Sequence, residues 1–157
     1  MKSEVSAAVG RCPFFEAFQP KHIEKVIHLG TQVEFAKDQI IFHDEDAGTS
    51  FYVLLSGRVA LEAHFGGRLV HIQTAYAGDE LGWSAVLKRK MQFQARALEP
   101  VQALAFDASQ LLDACEANPY FGKAFMGRLL ALVAERLEST RLELAAALSR
   151  QDREAVN

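Results

Sequence analysis

The chain has 157 residues, of which 50% are hydrophobic, with a formal net charge of -3 and a pI near 5.9. That is enough chain for one domain with a sizeable core and too little for two, and the acidic balance argues against a broad nucleic-acid or anionic-membrane footprint. No run of about 18 apolar residues is present and the opening Met1-Lys2-Ser3-Glu4-Val5 lacks the apolar centre of a signal peptide, so a cytoplasmic protein without a membrane partner is expected.

Helical signals come first. Ser3 is placed to cap a short helix over 4–10, the aromatic run Pro13-Phe14-Phe15 follows, and Pro20 suits the first turn of a helix carrying Ile23, Val26, Ile27 and Leu29, with Gly30 as its stop. The texture then changes to short β-type runs between turn residues, at 31–35, 40–42, 50–55, 58–64, 69–74, 93–97 and 101–106. Strands at such close spacing predict a small barrel or jelly roll. Gly66-Gly67 joins two of them as a two-residue hairpin, because both positions of such a turn need positive φ. That register sets His71 opposite Glu62 and His64 opposite Leu69.

The last third returns to helix. Asp107 caps a short helix with Leu111, Leu112 and Ala114 on one face, and Asn118-Pro119 interrupts it before a long helix over about 119–148. In that helix Met126, Leu130, Val133, Leu137, Thr140, Leu144 and Ala147 follow alternating spacings of four and three, the mark of a heptad seam. Phe121, Phe125, Leu129 and Leu132 form a second apolar row. One row is expected on the β-core and the other against a second helix, which makes a homodimer the expected assembly, with Leu130, Val133, Leu137, Thr140 and Leu144 in the interface. Arg136 and Arg141 flank the seam with like charge and do not strengthen it. The polar residues 149–157 are expected to fray, leaving 1–148 as a single domain.

Candidate chemistry concentrates in Ala77-Gly78-Asp79-Glu80-Leu81-Gly82-Trp83-Ser84. Two glycines four residues apart permit a tight turn, and a helical turn opening at Gly82 would leave the amides of Gly82, Trp83 and Ser84 as free donors for an anion. A plain strand connector has the same pattern. Catalytic constellations are missing: His22, His28, His43, His64 and His71 include no His-x-His pair for a cupin-type metal, and there is no nucleophile elbow or Gly-Lys-Ser phosphate loop. Cys12 and Cys115 are too few for a zinc or iron-sulfur cluster and are expected as buried thiols. No metal and no catalysis are expected.

The order of elements resembles the cyclic nucleotide-binding domain of the catabolite-activator superfamily. The resemblance covers about 12–148 and rests on Pro13-Phe14-Phe15, Ile40-Ile41-Phe42, Gly48-x-x-x-Tyr52-x-x-x-x-Gly57-x-Val59 and Gly78-Asp79-x-x-Gly82. It implies an α+β fold: an antiparallel β-roll, a double-stranded β-helix of jelly-roll type, flanked by N-terminal helices and a long C-terminal amphipathic helix. It also implies a cyclic nucleotide as ligand, held by the cradle amides, by a glutamate after the last glycine and by an arginine on the following strand.

This chain departs from the pattern at both side chains. Trp83 stands where the glutamate is expected, and Met91-Gln92 where Arg-Ser or Arg-Thr is expected. A smaller subgroup that is similar to this chain has a Gly-Trp-Ser turn, a basic residue before an aromatic, and a stretch like Ala95-Arg96-Ala97-Leu98-Glu99-Pro100. Lys90 falls on its basic position, so Lys90 or Arg89 is the expected phosphate cation, while Ser139 and Thr140 resemble the pair of hydroxyls that touches the base. Trp83 is expected either to pack in the core or to stack on a base. The superfamily's transcription factors add a winged helix of about sixty residues after the long helix, whereas nine residues follow Leu148 here, so direct DNA binding is not expected. Two functions stay open: a stand-alone sensor of a nucleotide, signalling through the long helix to an unknown protein partner, and a dimerisation scaffold that has lost its ligand. A cupin-like metal enzyme is the weakest of the three.

Overall fold

The computed structural model describes residues 2–157. Helix α1 (Lys2–Arg11), a 3-10 turn (Pro13–Phe15) and α2 (Pro20–Leu29) precede eight strands: β1 (Thr31–Phe35), β2 (Ile40–Phe42), β3 (Ser50–Ser56), β4 (Val59–Phe65), β5 (Arg68–Ala75), β6 (Glu80–Leu81), β7 (Gln94–Ala97) and β8 (Val101–Asp107). The short α3 (Trp83–Val86) lies between β6 and β7, and α4 (Ala108–Ala117) and α5 (Pro119–Val156) close the chain. The strands form two antiparallel four-stranded sheets in the orders β1-β8-β3-β6 and β2-β7-β4-β5. This is the α+β roll that the sequence predicts.

The first sheet separates two cores, because strand alternation sends successive side chains to opposite faces. Phe51 and Val53 of β3, with Leu104 and Phe106 of β8, pack among the helices. Tyr52 and Leu54, with Val101 and Ala103, face the inside of the roll together with Val59, Leu61, Ala95 and Ala97. On the helical side Phe14, Phe51, Phe106 and Phe121 surround Phe125 with ring centroids 5.5 to 5.9 Å from it. Each buried phenylalanine of this kind contributes about 1.5–3 kcal/mol, so this cluster is the main anchor of α5.

Turn chemistry follows the sequence at the β4–β5 hairpin, where Gly66 and Gly67 have φ of 58° and 75° and Glu62 faces His71. The Asp107 carboxylate accepts from the Gln110 N–H at the start of α4, and the Asn118 side chain accepts from the Phe121 N–H at the start of α5. Three expectations change, and the Gly30 stop holds. Ser3 lies within α1 rather than capping it. Gly30 ends α2 in an extended conformation (φ -83°, ψ 147°), its N–H donating to Val26 O, and its lack of a side chain is explained by Leu104, which a Cβ would meet at 2.7 Å. Cys12 is buried, but Cys115 is only half-buried. Helix α5 runs on through 149–156 instead of fraying, since Arg, Gln and Glu are good helix formers.

Candidate functional site

The two-residue strand β6 sets the site. It pairs with β3 at Tyr52↔Leu81 and Val53↔Glu80, so Leu81 points into the roll with Tyr52 and Glu80 points the other way, under α5. The chain then turns at Gly82, whose φ of +81° is left-handed and whose missing side chain leaves room for Ser50 O, 2.9 Å from where a Cβ would sit. Ala85 N–H donates to Gly82 O at 2.9 Å, so the amides of Trp83 and Ser84 stand ahead of the first helical bond. The Gly82-Trp83-Ser84 turn expected from the sequence is therefore present, with Ser84 buried and Trp83 half-buried against the helical core.

A cleft above this turn is walled by Phe42, Leu61, Leu81, Met91, Phe93 and Trp83, and it is nearly shut, with a volume of about 20 Å³. That is room for about one water molecule, against the roughly 300 Å³ or more of a typical small-molecule site. Met91, on the segment where the family pattern places its arginine, is buried with its methyl group 3.2 Å from a Cβ placed on Gly82. One cationic side chain lines the cleft, and it comes from α5: Arg136.

Arg136 is held there by Glu80. Its Nη1 lies 2.7 Å from Glu80 Oε1, and its Nη2 donates to the Glu80 backbone carbonyl at 3.2 Å. The carboxylate is fully buried and the side chain of Arg136 is 19% exposed. The 2.7 Å contact is an ion pair out of hydrogen-bond alignment, and the Trp83 N–H is a further, loosely aligned donor turned toward the Glu80 carboxylate. Burial pushes the Glu80 carboxyl above the ordinary glutamate range, the Arg136 charge opposes that, and the neighbouring Asp79 charge adds to it.

The other expected site residues lie elsewhere. Lys88 adopts a left-handed φ of 56° after α3, and the chain beyond it carries Arg89 and Lys90 into a separate cleft of about 500 Å³ beside Gly48, Thr49 and Ser109. Neither basic residue lines the cradle, and Lys90 makes an exposed contact with Glu45 at 3.6 Å. Ser139 and Thr140 are exposed on α5 one turn beyond Arg136, with the Thr140 hydroxyl donating to Arg136 O at 2.8 Å. Arg96, of the Ala-Arg-Ala-Leu-Glu-Pro stretch, braces the second sheet by donating to both oxygens of Glu62 at 3.0 and 3.1 Å. Among the histidines His64 meets Asp44 at 2.9 Å, His71 meets Thr74 and His43 meets Gln94, and no cluster among the described residues has the ligands for a metal ion.

A roll with a glycine turn under a long C-terminal helix is the arrangement shared with proteins of known family. The family model for the cyclic nucleotide-binding domain matches residues 32–118. The chain belongs to that family. It is similar to a cyclic nucleotide-binding domain from Methylobacillus flagellatus, at 17% identity and a TM-score of 0.81, over 93% of this chain and 83% of that one. It is also similar to the catabolite activator protein of Thermus thermophilus, at 25% identity and a TM-score of 0.71, over 86% of this chain and 62% of that one. A third similar structure is the regulatory subunit of a cAMP-independent protein kinase A from Trypanosoma brucei, at 17% identity and a TM-score of 0.62, over 68% of this chain and 39% of that one. No curated protein sequence matches the chain. Among the described residues no helix is long and apolar enough to cross a membrane.

Proposed function

We propose that this domain is a non-catalytic sensor for a cyclic nucleotide or a related phosphate ligand, and that α5 is its output. The observation that carries the reading is the Arg136–Glu80 pair, which ties the strand leading into the cradle to the helix with the exposed apolar seam. A phosphate at the Trp83 and Ser84 amides competes with Glu80 for Arg136. Its arrival frees or redirects α5, and the ligand shifts the protein between two arrangements by its difference in affinity for them. Leu130, Leu137 and Leu144 are 70%, 48% and 59% exposed, so α5 presents an apolar seam on which a second copy of the chain pairs.

Calorimetric titration with cyclic AMP, cyclic GMP and cyclic dinucleotides tests this, with Trp83 fluorescence as a second readout. Saturable binding is expected, weakened about tenfold or more by Arg136→Gln and measurably by Ser84→Ala. Heatless titrations with every nucleotide, from a protein that stays folded, would sink the sensor reading. The nearly shut cleft favours a second reading in that event: a constitutive helix-mediated dimer whose cradle is filled by its own Met91, Trp83 and Arg136.

A further inference from the structure

Helix α5 has a third face, neither core nor seam. At about 100° per residue, Tyr120, Ala124, Gly127 and Ala131 lie on a stripe turned away from both the buried phenylalanine row and the Leu130–Leu137 seam. This stripe and the start of α2 enclose a cleft of about 570 Å³, within the roughly 300–1,000 Å³ range of small-molecule sites. Its walls are apolar, with Phe18 on one side and Ala124 and Gly127 on the other, and a Cβ added to Gly127 meets nothing within 4 Å.

Charge and burial give the cleft a polarity. Lys21, Lys123 and Arg128 line it, and no carboxylate does, although the chain as a whole is acidic. Arg128 is engaged, donating to Phe14 O at 3.1 Å and Pro13 O at 3.3 Å. Lys21 and Lys123 have no ion-pair partner among the described residues. His22 also lines the cleft, 6% exposed and edge-on to Phe121, and neither ring nitrogen has a hydrogen-bond partner. Both nitrogens are closed off from the cleft's open side, so the ring serves as part of the wall and the lysines supply the charge.

We propose that this cleft is a second ligand site, and that it takes a small amphiphilic carboxylate: an apolar body between Phe18 and Gly127, with the carboxylate at Lys21 and Lys123. Both the apolar walls and the cationic rim are needed for that class, and neither a neutral apolar molecule nor a small hydrophilic anion uses both. Because the stripe is separate from the seam, the cleft stays open when α5 pairs with another copy. Occupancy clamps α5 to α2 independently of the cradle.

Calorimetry on the full chain with 2-naphthoate, and with 2-naphthol as a neutral control of the same shape, tests the proposal. Saturable 1:1 binding of 2-naphthoate is expected, about tenfold tighter than 2-naphthol. Gly127→Leu, which fills the cleft, should weaken it at least about tenfold, and Lys123→Gln about threefold or more. Ser84→Ala should leave it unchanged. If Gly127→Leu does not fold, Ala131→Leu narrows the same cleft from an exposed position. Absent saturation, equal affinity for 2-naphthol, indifference to the filled cleft, or loss of binding in Ser84→Ala would each overturn the proposal.

Discussion

The two halves of α5 are one continuous helix in two different solvents. From Phe121 to Leu132 it is the core's own helix, with Phe121 and Phe125 fully buried and Leu129 and Leu132 at 8% exposure. Beyond Arg136 no residue is buried, and Leu137, Leu142, Leu144 and Leu148 face water at 48% to 73% exposure. Leaving so many leucines in water on one helix gains a chain nothing, so the first half is placed by folding, and under the proposed function the second half is placed by association. Arg136 stands at the boundary, and its ion pair and its hydrogen bond back to the β-roll both go to Glu80.

The sharpest way to break the comparison is to remove the anchor. Phe125→Ala takes out the ring at the centre of the aromatic cluster and should cost about 3–5 kcal/mol by chemical denaturation. A loss under about 1 kcal/mol would mean that α5 is not held by this row. Gly82→Ala comes next, because it puts a side chain at a left-handed φ of +81° and 2.9 Å from Ser50 O. It should cost about 1–3 kcal/mol and weaken any ligand of the cradle, since the amides of Trp83 and Ser84 turn with it. Full nucleotide affinity in a destabilised Gly82→Ala would show that the ligand does not use those amides.

Much of this was legible before the structure. The strands at 31–35 and 40–42 match observed bounds because short β-branched and aromatic runs between turn residues have few other solutions. Gly66-Gly67 fixed its hairpin because both positions adopt positive φ. Strand β6 was illegible: two residues inside a glycine turn have no period, and only pairing with β3 makes them a strand. Glu80 read as one more polar turn residue for the same reason, and its burial follows from facing α5 opposite Val53. Arg136 read as a seam flank because its partner is 56 positions away. Arg89 and Lys90 read as cradle residues because sequence alone does not reveal the left-handed turn at Lys88 that leads them to another cleft.

The boundary pair gives a pH-dependent test. Burial holds the Glu80 carboxyl above its ordinary range despite Arg136, so between the ordinary and the raised value the folded protein binds more of this proton than the unfolded chain does. The contribution of this group is therefore fully present at acid pH and is lost as pH rises through the ordinary glutamate range towards the raised value, at no more than about 1.4 kcal/mol per pH unit for one proton. Glu80→Gln cannot titrate and should lack that part of the slope. Urea denaturation of both proteins from acid to neutral pH measures the difference, and parallel curves would mean that Arg136 keeps Glu80 ionised.

The smallest expected effect on stability falls in the outer half of α5. Leu137→Asp replaces a half-exposed side chain beyond the core row, so in solutions too dilute for association it should change unfolding free energy by no more than about 0.5 kcal/mol. On assembly the same change should act strongly, because a carboxylate at a central seam position meets its own copy across a parallel pair. Sedimentation equilibrium is expected to show a dimer for the unmodified chain and a monomer for Leu137→Asp. The contrast with Phe125→Ala separates the halves: one substitution unfolds and the other only dissociates. If Leu137→Asp leaves the sedimenting mass unchanged, the seam is not where copies meet, and the exposed leucines beyond Arg136 must serve a different partner.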